Sequence, residues 1–322
     1  MSTVTQRGNH LMEARKSYLS GEIYKYEYAE KTFNLHLSLF DYPAFIDGTD
    51  VEEVRLLASG VAVKSQSHQI SMYIDSVDFH ATGYTLLSFG GYEKRETDFM
   101  KSVFDDQGVF LDIGANRGWY SLVLSQAFPN SVIRAFEPIP STFDALEKNI
   151  SLNNFKNIKP FCVGMSNQPG EVEFLFAKDV AGATSMKLTG QSRGHADLER
   201  IICTTTTLDT FCADQQLTPS LIKIDVEGAE LLVVQGGGNV LSHTPVLLIE
   251  LLRKWSKEFG YHPNDVFEIL AQYGYEAWVF SEDNEKLEPC PMVTEETIQT
   301  NFVFLHPTRH ESVVKKWACY GT

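Results

Sequence analysis

Residues 109–121 read Val-Phe-Leu-Asp-Ile-Gly-Ala-Asn-Arg-Gly-Trp-Tyr-Ser, and this stretch decides the fold. Its opening apolar run is typical of a parallel strand that is covered on both faces, and Asp112 falls near the carboxyl end of that strand. Gly114 allows a sharp turn, and Gly118 allows a ligand to approach the helix that follows. The free amide groups at such a helix start bind carboxylates or phosphates. The stretch therefore predicts a buried strand, a ligand-binding turn and a helix.

The glycine spacing distinguishes between ligands. A nicotinamide-binding turn has the pattern G-x-G-x-x-G, but Asn116 and Trp119 stand at its second and third glycine positions. The next predicted strand ends at Glu137, where an acid suits two ribose hydroxyls because one carboxylate can accept both hydrogen bonds. That carboxylate would also repel the 2′-phosphate of NADP. An ordinary surface acid is the alternative interpretation of Glu137.

A second stretch, residues 221–230, repeats the order of strand, acid, glycine and helix, reading Leu-Ile-Lys-Ile-Asp-Val-Glu-Gly-Ala-Glu. In a doubly wound sheet, the carboxyl ends of the central strands flank the crevice that binds ligands. Asp225 is therefore expected to face the reacting end of a cofactor, with Glu227 close by. Glu250 ends another apolar strand near the same edge, and a buried carboxylate there must be paired, protonated or functional. An ion pair with Arg253 or Lys254 is the structural alternative.

Composition limits the class of protein. The chain has 322 residues, 43% of them hydrophobic, which is enough for one sizeable domain and an appendage. A formal net charge of −15 argues against a nucleic acid as the main partner. The five cysteines form no C-x-x-C pair, so neither a zinc site nor a disulfide framework is expected. No leader sequence and no long apolar run is found, so we expect a cytoplasmic protein without membrane insertion.

The segments outside these motifs give less specific predictions. Residues 1–95 are expected to form helices and a β-hairpin that cover the substrate or form a homodimer. Tyr92 and Glu93 follow two glycines and are expected either to cover the cofactor or only to pack the loop. Residues 177–200 are rich in glycine and poor in periodic apolar residues, so they are read as a substrate-side lid, with disorder as the alternative.

Residues 110–121, 135–138 and above all 222–230 resemble the FkbM family of S-adenosylmethionine-dependent methyltransferases, and the likeness extends over about residues 90–305. It implies an α/β class I methyltransferase fold over residues 96–322, in which a Rossmann-like, seven-stranded, mostly parallel sheet has helices on both faces. It also implies S-adenosylmethionine as the cofactor. The candidate cofactor-binding residues are Glu93, Asp112, Gly114, Asn116, Gly118, Tyr120, Glu137, Pro138, Gly164 and Asp225.

The resemblance implies O-methylation of a hydroxyl on a small molecule, a sugar, a glycolipid or a polyketide-like metabolite. Methyl transfer is an in-line displacement, and a hydroxyl becomes a good nucleophile only as its proton leaves. Asp225, Glu227 and Glu250 are the candidate proton acceptors, and His262 is an alternative base or a cap of the next helix. A metal-free carboxylate base is favoured. Assistance by a divalent metal ion is the alternative, since oxygen ligands are present without a metal-binding motif.

Other functions are weighed against this one. A nucleic-acid base methyltransferase is disfavoured by the acidic charge and by the absence of a Pro-Pro-aromatic motif after the second acidic strand. A protein or peptide methyltransferase is compatible with the charge. A non-catalytic regulator that binds S-adenosylmethionine is the third alternative, and intact Asp225 and Glu227 argue against it.

Overall fold

A computed structural model describes residues 4–177, 198–282 and 286–318. The strands are β1 (Val51–Leu57), β2 (Gly60–Ser65), β3 (Ser71–Ile74), β4 (Val109–Ile113), β5 (Val132–Phe136), β6 (Ile158–Phe161), β7 (Gly164–Met165), β8 (Gly170–Ala177), β9 (Leu198–Thr206), β10 (Leu221–Ile224), β11 (Val246–Glu250), β12 (Glu276–Phe280), β13 (Leu287–Pro289) and β14 (Asn301–Leu305). The α-helices are α1 (Val4–Leu19), α2 (Lys25–His36), α3 (Tyr42–Ile46), α4 (Thr82–Phe89), α5 (Lys94–Val103), α6 (Trp119–Ala127), α7 (Pro140–Leu152), α8 (Leu208–Gln215), α9 (Glu230–Gln235), α10 (Gly238–Ser242), α11 (Arg253–Phe259), α12 (Pro263–Gln272) and α13 (Glu311–Trp317).

The central sheet has the strand order β13-β12-β14-β11-β10-β4-β5-β6. Strands β6, β5, β4, β10 and β11 run parallel, whereas β14 is antiparallel to both β11 and β12. This arrangement confirms the predicted class I methyltransferase fold. The sheet has eight strands where seven were expected, because the three-residue strand β13 is added to the edge beside β12.

The two faces of the central sheet are covered, as the apolar run in β4 predicts. Phe110 belongs to one buried cluster, together with Leu122 of α6. Leu111 and Ile113 belong to the cluster on the opposite face. Because successive side chains of a strand point to opposite faces, a strand buried on both sides needs apolar residues in sequence rather than in alternation.

The N-terminal part contains a three-stranded antiparallel sheet in the order β1-β2-β3. The expected hairpin is formed by β2 and β3, and strand β1 was not expected. His68, between β2 and β3, is buried with its ring 5.4 Å from that of Trp119. Val63 and Met72 of this small sheet lie in the same buried cluster as Leu122 of α6. The division of the chain at residue 95 stays a prediction.

Helices α1 to α3 contrast with the rest of the chain, because α2 and α3 bury no residue. Their exposed large apolar side chains, together with those of the connecting segments, are Leu11, Met12, Tyr18, Leu19, Tyr24, Tyr26, Phe33, Leu35, Leu37, Leu39, Phe40 and Phe45. A homodimer formed through these helices stays a prediction. Across the described ranges, the helices lack the length and apolar character that a membrane span requires.

Two further segments were not predicted or lie outside the described residues. Helix α11, in which Trp255 is buried, was not predicted from the sequence. The proposed lid at residues 177–200 lies largely outside the described residues, and only its ends are seen, in β8 and β9. These two strands pair antiparallel, and β9 also pairs with β7.

Candidate functional site

A cleft lies at the carboxyl ends of the central parallel strands, with a cavity volume of about 270 Å³. This volume is close to the lower end of the roughly 300–1,000 Å³ typical of small-molecule sites. Its lining residues are His80, Thr82, Tyr92, Glu93, Ile113, Gly114, Asn116, Phe136, Glu137, Pro138, Ile139, Val163, Gly164, Met165, Phe174, Asp225, Val226, Glu227, Ala229 and Glu250. The two sequence motifs therefore meet in one cleft.

The turn after β4 is held against the end of β10. Gly114 has a φ of 81°, and a Cβ added there would lie 1.7 Å from the carbonyl oxygen of Asp225. The Asp225 N–H in turn donates to the carbonyl of Ile113 over 3.0 Å. Next in the turn, Asn116 has a φ of 50°, and its Oδ1 is buried without a hydrogen-bond partner within the described ranges. The turn thus presents an unused acceptor at the cleft.

Glu137 is fixed at the end of β5 by the neighbouring backbone. Its Oε2 accepts a hydrogen bond from the N–H of Asn116 over 3.1 Å, and its Oε1 accepts one from the N–H of Ile139 over 2.9 Å. Burial raises the pKa of Glu137 to about 7, although the two backbone hydrogen bonds lower it. Each carboxylate oxygen can accept more than one hydrogen bond, so this anchored group can still bind hydroxyls in the cleft.

Two carboxyl groups lie side by side on neighbouring strands. Ile224 of β10 is in register with Ile249 of β11, so Asp225 and Glu250 are the next pair along the two parallel strands. Both side chains line the cleft. The negative charge of Asp225, followed by burial, raises the pKa of Glu250 well above its usual range. A proton on one of the two carboxyl groups relieves the repulsion between them.

Lys223 is a buried cation at this acidic end of the sheet, and it was given no role in the sequence analysis. Its Nζ lies 2.8 Å from Oδ2 of Asp225 and 4.9 Å from the centre of the Tyr120 ring. Burial by itself lowers the pKa of Lys223, but the charges of Asp225, Glu93 and Asp112 outweigh it and raise the pKa above its usual value. A lysine in a short apolar strand is itself a signal, because a buried ammonium group requires acidic partners.

The last acid of the second motif shapes the loop rather than lining the cleft. The buried Oε1 of Glu230 accepts hydrogen bonds from the N–H groups of Gly228, over 3.0 Å, and Val226, over 3.2 Å. Its Oε2 accepts one from the Tyr261 hydroxyl over 2.9 Å. These bonds hold the turn in which Glu227 adopts a φ of 51° and lines the cleft.

The ion pair of Glu250 with Arg253 or Lys254, considered as the structural alternative, is not found among the described residues. Arg253 donates to the carbonyl of Thr294 over 2.6 Å and lies 3.1 Å from Glu295, and Lys254 lies over the ring of Trp255. The cation that acts on Glu250 is instead Lys223.

Four of the predicted site residues do not line the cleft. Asp112 accepts hydrogen bonds from both the N–H and the hydroxyl of Ser121, which fixes the start of α6. Gly118 was expected to let a ligand approach, but an added Cβ there would lie 2.5 Å from a side-chain carbon of Leu146, so the glycine serves helix packing.

Tyr120 and His262 are the other two. The Tyr120 hydroxyl donates to Oε2 of Glu93 over 2.5 Å, so this ring positions a residue that does line the cleft. His262 is exposed at the N-terminus of α12, where its Nδ1 accepts from the N–H of Asn264 over 3.3 Å. This is the capping role that was considered beside the role of base.

A loop of the N-terminal part also reaches the cleft, which the sequence reading missed. It contributes His80 and Thr82. The guanidinium of Arg117, inside the first motif, holds this loop through Asp75 over 2.8 Å and Asp78 over 3.3 Å. The N–H groups of residues 77 and 78 donate to Asp75 as well. An arginine in the turn after β4 thus ties the loop to the central sheet.

The comparisons with known proteins agree with this geometry. The FkbM methyltransferase domain matches residues 112–277, which is just over half of the chain. The chain belongs to the FkbM methyltransferase family. The matched range is a methyltransferase domain, and it includes residues 112–121, 135–138 and 222–230, on which the resemblance rests.

Several named proteins are similar to this FkbM methyltransferase. The hexuronic acid methyltransferase AglP of Haloferax volcanii is 26% identical over 238 residues, which cover 70% of this chain and 90% of that protein. Methyltransferase 1 of Beauveria bassiana is 27% identical over 148 residues, and the 2-O-methyltransferase NoeI of Sinorhizobium fredii is 28% identical over 153. These two matches cover 41% and 44% of this chain and span 59% and 62% of the relatives' own lengths.

A solved structure is also similar to the FkbM chain. The methyltransferase FkbM of Methylobacillus flagellatus KT is 15% identical to it, with a TM-score of 0.39. The match covers 63% of this chain and 44% of that one.

The residues of the FkbM cleft fit the cofactor that the sequence implies. The buried Asn116 Oδ1 offers an acceptor to an ammonium group, and Glu137 offers one to ribose hydroxyls. Gly164 and Phe174 also line the cleft. Among the described residues, no three His, Cys, Asp or Glu side chains are grouped so as to hold a metal ion.

Proposed function

We propose that this FkbM methyltransferase transfers the methyl group of S-adenosylmethionine to a hydroxyl of a sugar or another small molecule. One observation carries the proposal. The carboxyl pair of Asp225 and Glu250 borders the same cleft as Gly114 and Glu137, so a proton acceptor and the candidate cofactor-binding turn face one space. S-adenosylmethionine, when bound, would supply an electrophilic methyl group on a positively charged sulfur.

The roles of the chain's own residues follow from their positions. Glu137 would bind the ribose hydroxyls, since its carboxylate is anchored in the cleft. Asp225 and Glu250 would take up the proton of the acceptor hydroxyl, a contribution that is typically worth 10²- to 10⁴-fold in rate. Glu227 lines the cleft two residues beyond Asp225 and is the third candidate acid. His80 and Thr82 would lie on the acceptor side.

The acceptor class is proposed from the named relatives. AglP is named a hexuronic acid methyltransferase and NoeI a 2-O-methyltransferase, so carbohydrate hydroxyls are the first class to test. Oxygen acceptors agree with the acidic cleft, because a carboxyl group can withdraw the proton that makes a hydroxyl a poor nucleophile. Divalent metal assistance stays the less favoured alternative.

The test is a transfer assay with labelled S-adenosylmethionine and a panel of glycans that includes hexuronic acids. We expect a methylated acceptor and S-adenosylhomocysteine in equal amounts, and a rate at least about 10²-fold lower in Glu250→Gln and Asp225→Asn. Glu268→Gln, which changes an exposed acid on α12, is the matched control. Cofactor binding without turnover on any acceptor would favour a regulator, and full activity of both cleft variants would exclude the carboxyl base.

A further inference from the structure

The paired carboxyl groups at the ends of β10 and β11 have a consequence for the order of events in the cleft. Asp225 and Glu250 directly follow the register pair Ile224 and Ile249 on parallel strands that lie about 4.8 Å apart, and both side chains line the cleft. Two carboxyl groups this close disfavour the ionisation of both, so the pair holds a proton. The Nζ of Lys223 lies 2.8 Å from Oδ2 of Asp225, so the proton is assigned to Glu250.

We propose that Asp225 and Glu250 share one proton in the cofactor-free protein and release it to solvent when S-adenosylmethionine binds. The inference rests on the proposed function, since it assumes that the cleft holds the cofactor. An opposite charge within about 4–6 Å favours the ionised form of a carboxyl group, and a sulfonium is such a charge. Binding therefore converts Glu250 from a protonated group into a proton acceptor.

The other charged and titratable groups around the pair are mostly acidic. Besides Lys223, the groups are His80 on the loop before α4, Glu93 and Tyr92 on the loop before α5, Asp112 in β4, Glu137 after β5, Glu227 in the loop after β10 and Glu230 at the start of α9. Burial raises the pKa of Glu93 and of Asp112. Arg117 is also buried, but it is paired with Asp75 and Asp78, so the acids around the cleft outnumber the cation that contacts them, Lys223. A positively charged ligand that arrives there favours loss of the proton from the pair.

With the proton assigned to Glu250, every proton of the reaction is accounted for. One proton leaves Glu250 for solvent as the cofactor binds. During transfer, the O–H bond of the acceptor breaks, an O–C bond forms, the C–S bond breaks, and Glu250 takes up the hydroxyl proton. The sulfur of the product is neutral, so the pair is again protonated as at the start. The single proton that methylation produces is thus released before the chemical step.

The experiment is calorimetric titration of the full chain with S-adenosylmethionine and, separately, with S-adenosylhomocysteine, each in buffers of different ionisation enthalpy. The two ligands share their amino and carboxyl groups, so the difference between them reports the sulfonium. We expect S-adenosylmethionine to release up to about one proton more than S-adenosylhomocysteine. The ratio of the two dissociation constants should then favour S-adenosylmethionine increasingly as the pH rises, by at most about tenfold per pH unit.

The variants locate the proton. Glu250→Gln should abolish the extra release, whereas Glu268→Gln, on the exposed face of α12, should retain it. The comparison of proton release by the two ligands uses only the wild-type protein, so it tests the inference even if Glu250→Gln does not fold. Equal proton release with both ligands would overturn the inference and leave the methyltransferase proposal intact. Failure of both ligands to bind would overturn the cofactor proposal together with the inference.

Discussion

Replacement of Gly114 by alanine tests whether the two strand ends form one site. Gly114 has a φ of 81°, a conformation that costs an L-residue roughly 1–2 kcal/mol. The new Cβ would also lie 1.7 Å from the backbone oxygen of Asp225, which cannot rotate away as a flexible side chain would. Overpacking of this kind costs about 1–3 kcal/mol. We therefore expect Gly114→Ala to lower the free energy of unfolding by about 2–5 kcal/mol.

Gly260 offers a matched control for this change. Its φ is 82°, but no heavy atom lies within 4 Å of the Cβ that alanine would add. Gly260→Ala should therefore lose only the backbone contribution, roughly 1–2 kcal/mol. Urea unfolding gives both free energies, and calorimetry gives the affinity for S-adenosylhomocysteine, which we expect Gly260→Ala to keep and Gly114→Ala to lose. Equal losses of stability in the two variants would refute the close contact between the strand ends.

Three further predictions follow from the site. Glu137→Gln should weaken S-adenosylmethionine binding about tenfold or more by calorimetry, because a hydrogen bond to a charged group contributes about 1.5–3 kcal/mol; unchanged affinity would exclude the ribose role. The folded protein binds the Glu137 proton more tightly than the unfolded chain does. The contribution of Glu137 to the free energy of unfolding should therefore fall by about 3 kcal/mol as the pH rises from about 4.5 to about 7. Urea unfolding of Glu137→Gln across that range should show a flatter dependence of this free energy on pH. Arg117→Met should cost about 3–5 kcal/mol because it leaves Asp75 and Asp78 without their buried cation, whereas Arg200→Met, which removes an exposed pair of the same 2.8 Å length, should cost less than about 1 kcal/mol; similar losses would contradict the role of Arg117.

The sequence predicts those parts of the fold that local patterns determine. The apolar run of β4 predicts a strand, and the glycine at position 114 predicts a turn. The structure has the strand and turn of both motifs at the predicted positions. Strand β1 and helix α11 were missed. Strand β1 is only partly buried, and α11 is only seven residues long and mixes charged with aromatic side chains. Neither element therefore has a clear hydrophobic period.

The candidate site was predicted where strand ends meet and missed where distant segments fold over them. Asp225 and Glu250 were placed at the same edge of the sheet from topology alone, because neighbouring parallel strands end at one edge. His80 and Thr82 reach the cleft because Arg117, which is distant from them in sequence, holds the loop that precedes them. The spacing of residues along the chain does not predict such a contact. Lys223 was visible as a charge in an apolar strand, yet its partners emerge only in three dimensions.

The central claim is that the ends of β4, β10 and β11 enclose a methyl donor beside a carboxyl pair. A crystal structure with S-adenosylhomocysteine bound tests it most directly. We expect the ribose hydroxyls to contact Glu137 and the sulfur to face the edge formed by Asp225 and Glu250. A ligand bound elsewhere, or bound in the cleft with its sulfur turned away from both carboxyl groups, would contradict the account.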